Sequence, residues 1–206
     1  DAFFQVLREA KSWDLLCHHA ADVRAYKSPE FDPHRALGNN TLNVRRVLSA
    51  CRELGLKAVL LTGSVFEEDE GLGNEPLRAF SPYGLSKGLT FQVFRYYCGE
   101  ANLPLGKFVI PNPFGPFEEA RFTAYLVRCW KEGKPAAVKT PDYVRDNIHV
   151  DLLAAVYARF AARLEAASPG LLRSNPSGYI ESQGAFAHRV ARELRARLGW
   201  ACEVDL

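Results

Sequence analysis

The chain has 206 residues, 48% of them hydrophobic, enough to bury one α/β core or one such core plus a small lobe. Its 26 Lys and Arg against 24 Asp and Glu leave a formal charge of +2 with the basic residues scattered, which argues against nucleic acid as a partner. The five cysteines (Cys17, Cys51, Cys98, Cys129, Cys202) are odd in number and widely spaced, against a disulfide framework or a zinc site and for a reduced cytoplasmic setting, and no apolar run approaches the roughly 18 residues that span a bilayer.

In chain order the periodicity predicts helix over 1–11, strand near 13–18, helix from Pro33 to Leu54, strand over 57–62, helix over 83–101 and strand over 106–111. Beyond these come helix over 121–132, a short strand near 136–139, helix over 151–166, a strand near 171–174, and helix over 182–198 with Ser182 as N-cap. Alternating strands and helices are the pattern of a doubly wound parallel sheet covered on both faces. The expected division is 1–112, a dinucleotide-binding part, and 113–206, a small substrate-binding lobe, with interleaving of the two allowed.

Chemistry concentrates at two places. Ala58-Val59-Leu60-Leu61 reads as a buried parallel strand leading straight into the hydroxyl-bearing turn Thr62-Gly63-Ser64-Val65-Phe66, and loops at the carboxyl ends of such strands are where open α/β sheets place ligands. Tyr83 and Lys87 then lie four apart at the start of a long helical run, so they share one face. A fixed cation beside a tyrosine favours the phenolate and brings it towards working pH. The pair is a candidate for acid/base work on a hydroxyl or carbonyl.

Further along stand Pro111-Asn112-Pro113-Phe114-Gly115-Pro116 and Val144-Arg145-Asp146-Asn147-Ile148-His149-Val150-Asp151. With these four motifs in this order, the chain from about His18 to Ala154 resembles the extended short-chain dehydrogenase/reductase family, the nucleotide-sugar epimerases and dehydratases. The resemblance implies a Rossmann-like fold, bound NAD or NADP and a nucleotide-sugar substrate. It implies Thr62, Tyr83 and Lys87 as catalytic residues, the last two also contacting the cofactor. His19, Ala20 and Ala21 match the turn that lines the cofactor, and Asn40 an asparagine nearby. Asn112 and Arg145 match residues that bind the substrate diphosphate, with Ser64 a further substrate contact. A homodimer with no membrane partner and no metal is expected, the aromatic run from Phe91 to Tyr97 serving as core and dimer face.

Departures narrow the reading. Dehydratases of this group carry an acidic pair after the catalytic hydroxyl, where this chain has Gly63 and Ser64, so loss of water is disfavoured for want of a carboxylate. Phe66 replaces a Tyr, Asn43-Val44 replaces Gly-Thr, and Leu152 replaces an Asp of the family pattern. The family's opening G-x-x-G-x-x-G turn is not in this sequence; Gly71-Leu72-Gly73-Asn74 follows the wrong element and reads as a surface turn. The expectation is therefore a piece of a longer polypeptide, one that alone aggregates through an exposed strand edge and does not bind NAD. Epimerisation or keto-reduction of a nucleotide sugar is the leading function, and a non-enzymatic dinucleotide-binding sensor or scaffold the alternative.

Overall fold

The structure, a computed structural model, describes residues 2–71 and 77–206. The turn expected from Gly71 to Asn74 lies, beyond Gly71, outside the described residues. The chain divides into two compact units, Asp1–Ile110 with Val156–Pro176, and Pro111–Ala155 with Ser177–Leu206. The interleaving is thus a return of one segment to the first unit after the second has begun.

In the first unit α1 (Ala2–Glu9) precedes β1 (Leu15–His18), and α2 (Pro33–Asn40) and α3 (Val44–Glu53) lead to β2 (Ala58–Ser64). The single helix expected from Pro33 to Leu54 is thus two. Asp32 caps α2, its Oδ1 accepting from the His34 and Arg35 backbone N–H groups, with Pro33 in the first turn. The break falls at Asn43, whose φ of 57° is left-handed, a conformation that asparagine tolerates and that ends helical propagation. After β2 come α4 (Pro82–Glu100) and β3 (Leu105–Ile110). The four strands of the main sheet run parallel in the order β1-β2-β3-β7, where β7 is Leu171–Ser174.

Every residue of β2 except Ser64 is buried, the continuous apolar run of a strand covered on both faces. Val59, Leu61 and Leu105 pack with Phe91, Phe94 and Cys98 of α4 and with Leu48 and Cys51 of α3. On the other face Phe108 meets Tyr157 and Phe160 of α6 (Val150–Glu165), with ring centroids 5.0 and 5.8 Å away. Gly106 permits that approach, since a Cβ there would lie 2.5 Å from Leu164 Cδ2.

The second unit holds a three-stranded sheet, β4 (Asn112–Phe114) parallel to β6 (Val144–His149) and β6 antiparallel to β8 (Tyr179–Ser182). A two-stranded pairing joins β5 (Ala136–Ala137) to β9 (Val204–Asp205). Leu126 and Trp130 of α5 (Phe122–Lys131) and Ala187 and Ala191 of α7 (Gln183–Leu198) form its core with Val138 and Cys202. Ser182 does cap α7, accepting from the Ala185 N–H. Sequence reading missed β4, β6, β8 and β9, because three are four residues or fewer and β6 alternates without a hydrophobic face. Among the described residues no helix is long and apolar enough to cross a membrane.

Candidate functional site

The carboxyl end of β2 and the first turns of α4 supply the candidate catalytic residues, and the segment after β1 supplies His19, Ala20 and Ala21, all within the first unit. Thr62 is the fifth residue of β2, and the turn after it abuts the start of α4. Phe80 N–H donates to the Phe66 carbonyl at 2.9 Å, and the two rings stack at 5.1 Å. Gly84 lies so close that a Cβ there would stand 1.9 Å from the Phe66 carbonyl oxygen. Ser81 caps the helix by accepting from Gly84 N–H at 3.2 Å, and Pro82 occupies its first turn. These contacts hold the start of α4, with Tyr83 one residue before Gly84, against the turn that follows Thr62 in the chain.

The Tyr83 ring is flanked by Tyr26 at 5.3 Å and Phe31 at 6.1 Å, both from the segment that follows β1. Lys87, one turn on, is 3% exposed, and its ammonium makes no hydrogen bond or ion pair to any described residue. Burial pushes it below the ordinary lysine value; Glu67 draws it back up, and the like charge of Lys107 adds to the depression. His18, part-buried, packs its ring 4.5 Å from Phe94 and shares Nε2 with the Asn40 carbonyl at 3.0 Å. Burial and then the Lys87 charge hold its imidazole below the usual histidine value.

Thr62 is 8% exposed, and its Oγ1 lies 2.8 Å from His19 Nδ1. His19 Nε2 is in turn 3.1 Å from the Tyr157 hydroxyl. Ser64 ends β2 with its Oγ accepting from Phe66 N–H at 3.2 Å. Ala20 and Ala21 follow His19 in a half-open turn that Asn40 braces: the Asn40 amide oxygen accepts from Asp22 N–H at 2.8 Å, and its nitrogen donates to Thr90 Oγ1 of α4 at 3.1 Å. Both ends of the Asn40 side chain are therefore engaged by the protein, which makes it a strut between the Ala20–Asp22 segment and α4.

Below the Thr62 turn lies a buried ion network. Glu67 accepts from Ser64 N–H at 2.7 Å and pairs with Lys107 at 2.6 Å. Lys107 also pairs with Glu70 at 2.7 Å, and Arg173 and Asn175 complete the coordination of Glu70. Lys107 sits 4.2 Å over the Phe91 ring. One signal in the sequence marked this network: a lysine inside the apolar run of β3 must be paired if that strand is buried.

In the second unit the adjoining strands β4 and β6 bring Asn112 and Arg145 together. Arg145 Nη1 donates to Asn112 Oδ1 at 3.4 Å, and Asn112 Nδ2 donates to the Asp146 carbonyl at 3.3 Å. The guanidinium also lies 5.1 Å from the Tyr143 ring centroid. Asp146 accepts from Gly178 N–H at 2.8 Å and so ties β6 to the segment entering β8. His149 Nδ1 accepts from Asp151 N–H, and His34 and His188 are exposed.

The model of the NAD dependent epimerase/dehydratase family matches residues 1–171. No curated protein matches. Among solved structures, the UDP-glucose 4-epimerase of Thermus thermophilus, in complex with NAD, is 19% identical with a TM-score of 0.69, covering 98% of this chain and 67% of its own. The UDP-N-acetylglucosamine 4-epimerase of Bacillus cereus is 16% identical with a TM-score of 0.72, over 98% of this chain and 69% of its own. The UDP-glucose-4-epimerase of Stenotrophomonas maltophila, with bound NAD and formylated UDP-arabinopyranose, is 16% identical with a TM-score of 0.72, over 98% and 66%. The chain thus spans about two thirds of the length of these structures.

The residues present fit the nicotinamide end of such a cofactor. A lysine whose side chain is 3% exposed, with no hydrogen-bond or ion-pair acceptor among the described residues, suits a ribose diol. Thr62 and Tyr83 lie on elements that meet where Gly84 touches Phe66. The family match runs from α1 to the first residue of β7, taking in both elements and the Tyr-x-x-x-Lys helix, and on that match the chain belongs to the NAD dependent epimerase/dehydratase family.

Proposed function

We propose that the protein epimerises a nucleotide-activated sugar through its keto form, with Thr62, Tyr83 and Lys87 as catalytic residues. The family is one of NAD-dependent enzymes. Bound NAD supplies a hydride acceptor that later returns the hydride to the keto-sugar. Tyr83 Oη takes the proton of the sugar hydroxyl as the hydride leaves and gives it back on reduction. Lys87 holds the nicotinamide ribose and favours the phenolate by its charge. Thr62 Oγ1 hydrogen-bonds the reacting oxygen.

The observation that carries this reading is Lys87, a side chain 3% exposed that has no hydrogen-bonded or ion-paired partner among the described residues and lies one turn from the part-buried Tyr83. Dehydration stays disfavoured: Glu67 and Glu70, the buried carboxylates near Thr62, are both locked to Lys107 and cannot act as general acid or base. Arg145, with Asn112 beside it, is a fork-like donor suited to the diphosphate. Ser64 contributes a further hydroxyl on the sugar side. The second reading, simple reduction of a keto-sugar, uses the same residues in one direction.

A homodimer is proposed through α3 and α4, whose outer surfaces line a groove of about 740 Å³ with Arg45, Arg52, Tyr96 and Tyr97, Tyr96 being 63% exposed. The reaction is tested by incubating the full-length protein and NAD with UDP-glucose and, separately, UDP-N-acetylglucosamine, and assaying the 4-epimer of each. Interconversion of either supports epimerisation. Failure with both, together with failure to reduce a UDP-keto-sugar from NADH, contradicts the proposal.

A further inference from the structure

We propose that His19 is a positioning residue for Thr62, held by Tyr157 in the tautomer whose Nδ1–H donates to Thr62 Oγ1. This rests on the catalytic reading of Thr62 above. Thr62 has one hydroxyl proton, and its Oγ1 is 2.8 Å from His19 Nδ1. If that nitrogen were bare it would take the threonine proton, leaving the hydroxyl only lone pairs to offer a reacting oxygen. If the nitrogen carries the proton, Thr62 accepts from it and its own O–H is released to donate elsewhere.

Which of these holds is set by the bond at the other ring nitrogen. His19 Nε2 lies 3.1 Å from the Tyr157 hydroxyl, and the two rings face each other with centroids 5.2 Å apart at an interplanar angle of 34°. Tyr157 comes from α6, where its ring edge is seated on Phe108 of β3, so the phenol is fixed independently of His19. Burial, chiefly, raises its pKa, with Cys17 adding to that and Thr62 opposing it, so the phenol keeps its proton and can donate to Nε2. The result is a directed chain from Tyr157 O–H to His19 Nε2, from His19 Nδ1–H to Thr62 Oγ1, and from Thr62 O–H outward. No proton need be transferred along it.

The ring nitrogens of His19 are read directly by NMR of 15N-histidine-labelled protein above neutral pH, without substrate, with His19→Leu identifying the resonances. The expected spectrum has a protonated Nδ1 and a bare Nε2 that accepts a hydrogen bond, and Tyr157→Phe is expected to turn the ring to its Nε2–H form. A wild-type ring already in the Nε2–H form overturns the proposal. In turnover with NAD and a UDP-sugar, His19→Leu is expected to lower kcat about tenfold at unchanged KM, the loss of one hydrogen bond, and His19→Asn, which keeps an N–H near the Nδ1 position, to recover most of it. Equal kcat in His19→Leu and wild type overturns the positioning role. The expected tautomer in a protein that turns over no UDP-sugar supports the hydrogen-bond assignment and contradicts the proposed reaction, so the two failures are distinct.

Discussion

The Lys87 side chain is buried without a hydrogen-bonded carboxylate among the described residues, although Glu67 lies near enough to raise its pKa, and Glu67 and Glu70 are both paired with Lys107. Keeping the two carboxylates on Lys107 leaves the Lys87 ammonium available to a ligand, which is the arrangement a cofactor ribose needs. Tyr83 and Lys87 were legible in the sequence because four residues on a helix is a fixed geometry. The bonds around Thr62 were not legible, since Thr62 and His19 are 43 residues apart and His19 and Tyr157 are 138 apart, and only the sheet brings them together. On the proposed role of Arg145 as a diphosphate ligand, Arg145→Ala removes a charged donor and is expected to weaken binding of a nucleoside diphosphate by about 1.5–3 kcal/mol, roughly ten- to more than a hundredfold. Calorimetric titration of UDP into both proteins checks this, and equal dissociation constants would remove Arg145 from the site.

At the scale of elements the decisive junction is between the end of β2 and the start of α4. The motif residues on either side could be read from sequence, but not that Gly84 is the point of contact. With only 1.9 Å between a Cβ at this position and a backbone oxygen, no rotamer of a neighbour can relieve the clash. Gly84→Ala is therefore expected to force the helix and turn apart, destabilising the protein by at least the roughly 1–3 kcal/mol typical of overpacking and lowering turnover beyond the stability loss. Denaturant melts and kcat measured on the soluble variant check both effects. The division of the expected Pro33–Leu54 helix has the same character. Its apolar pattern continues through the break at the left-handed Asn43, whereas the bracing role of Asn40 is a consequence of tertiary contacts. In the second unit β4, β8 and β9 escaped notice because they are short, and all the missed strands, β6 included, pair with partners distant in sequence.

For the molecule as a whole, the parallel sheet was legible from the alternation of buried strands and helices, and the return of residues 156–176 to the first unit was not, because no turn signal marks a change of unit inside α6. Stability should carry the mark of the site. The His18 imidazole is held below the usual histidine value by burial and by Lys87, so between about 6.5 and its folded value the unfolded chain binds more protons. Its contribution is complete above about pH 6.5 and is lost as pH falls through the folded value. His18→Gln keeps a donor for the Asn40 carbonyl but cannot titrate, and its Tm should fall less than that of wild type as pH drops from about 7 to about 5. Parallel slopes would show that His18 is not the titrating group. The central claim is tested most directly by the turnover of Tyr83→Phe with NAD and a UDP-sugar that the wild type accepts. The ring and its contacts with Tyr26 and Phe31 remain while the acid/base oxygen goes, so kcat is expected to fall by about 10²–10⁴ with NAD affinity nearly unchanged. Turnover close to wild type would contradict the assignment of Tyr83 and with it the proposed chemistry.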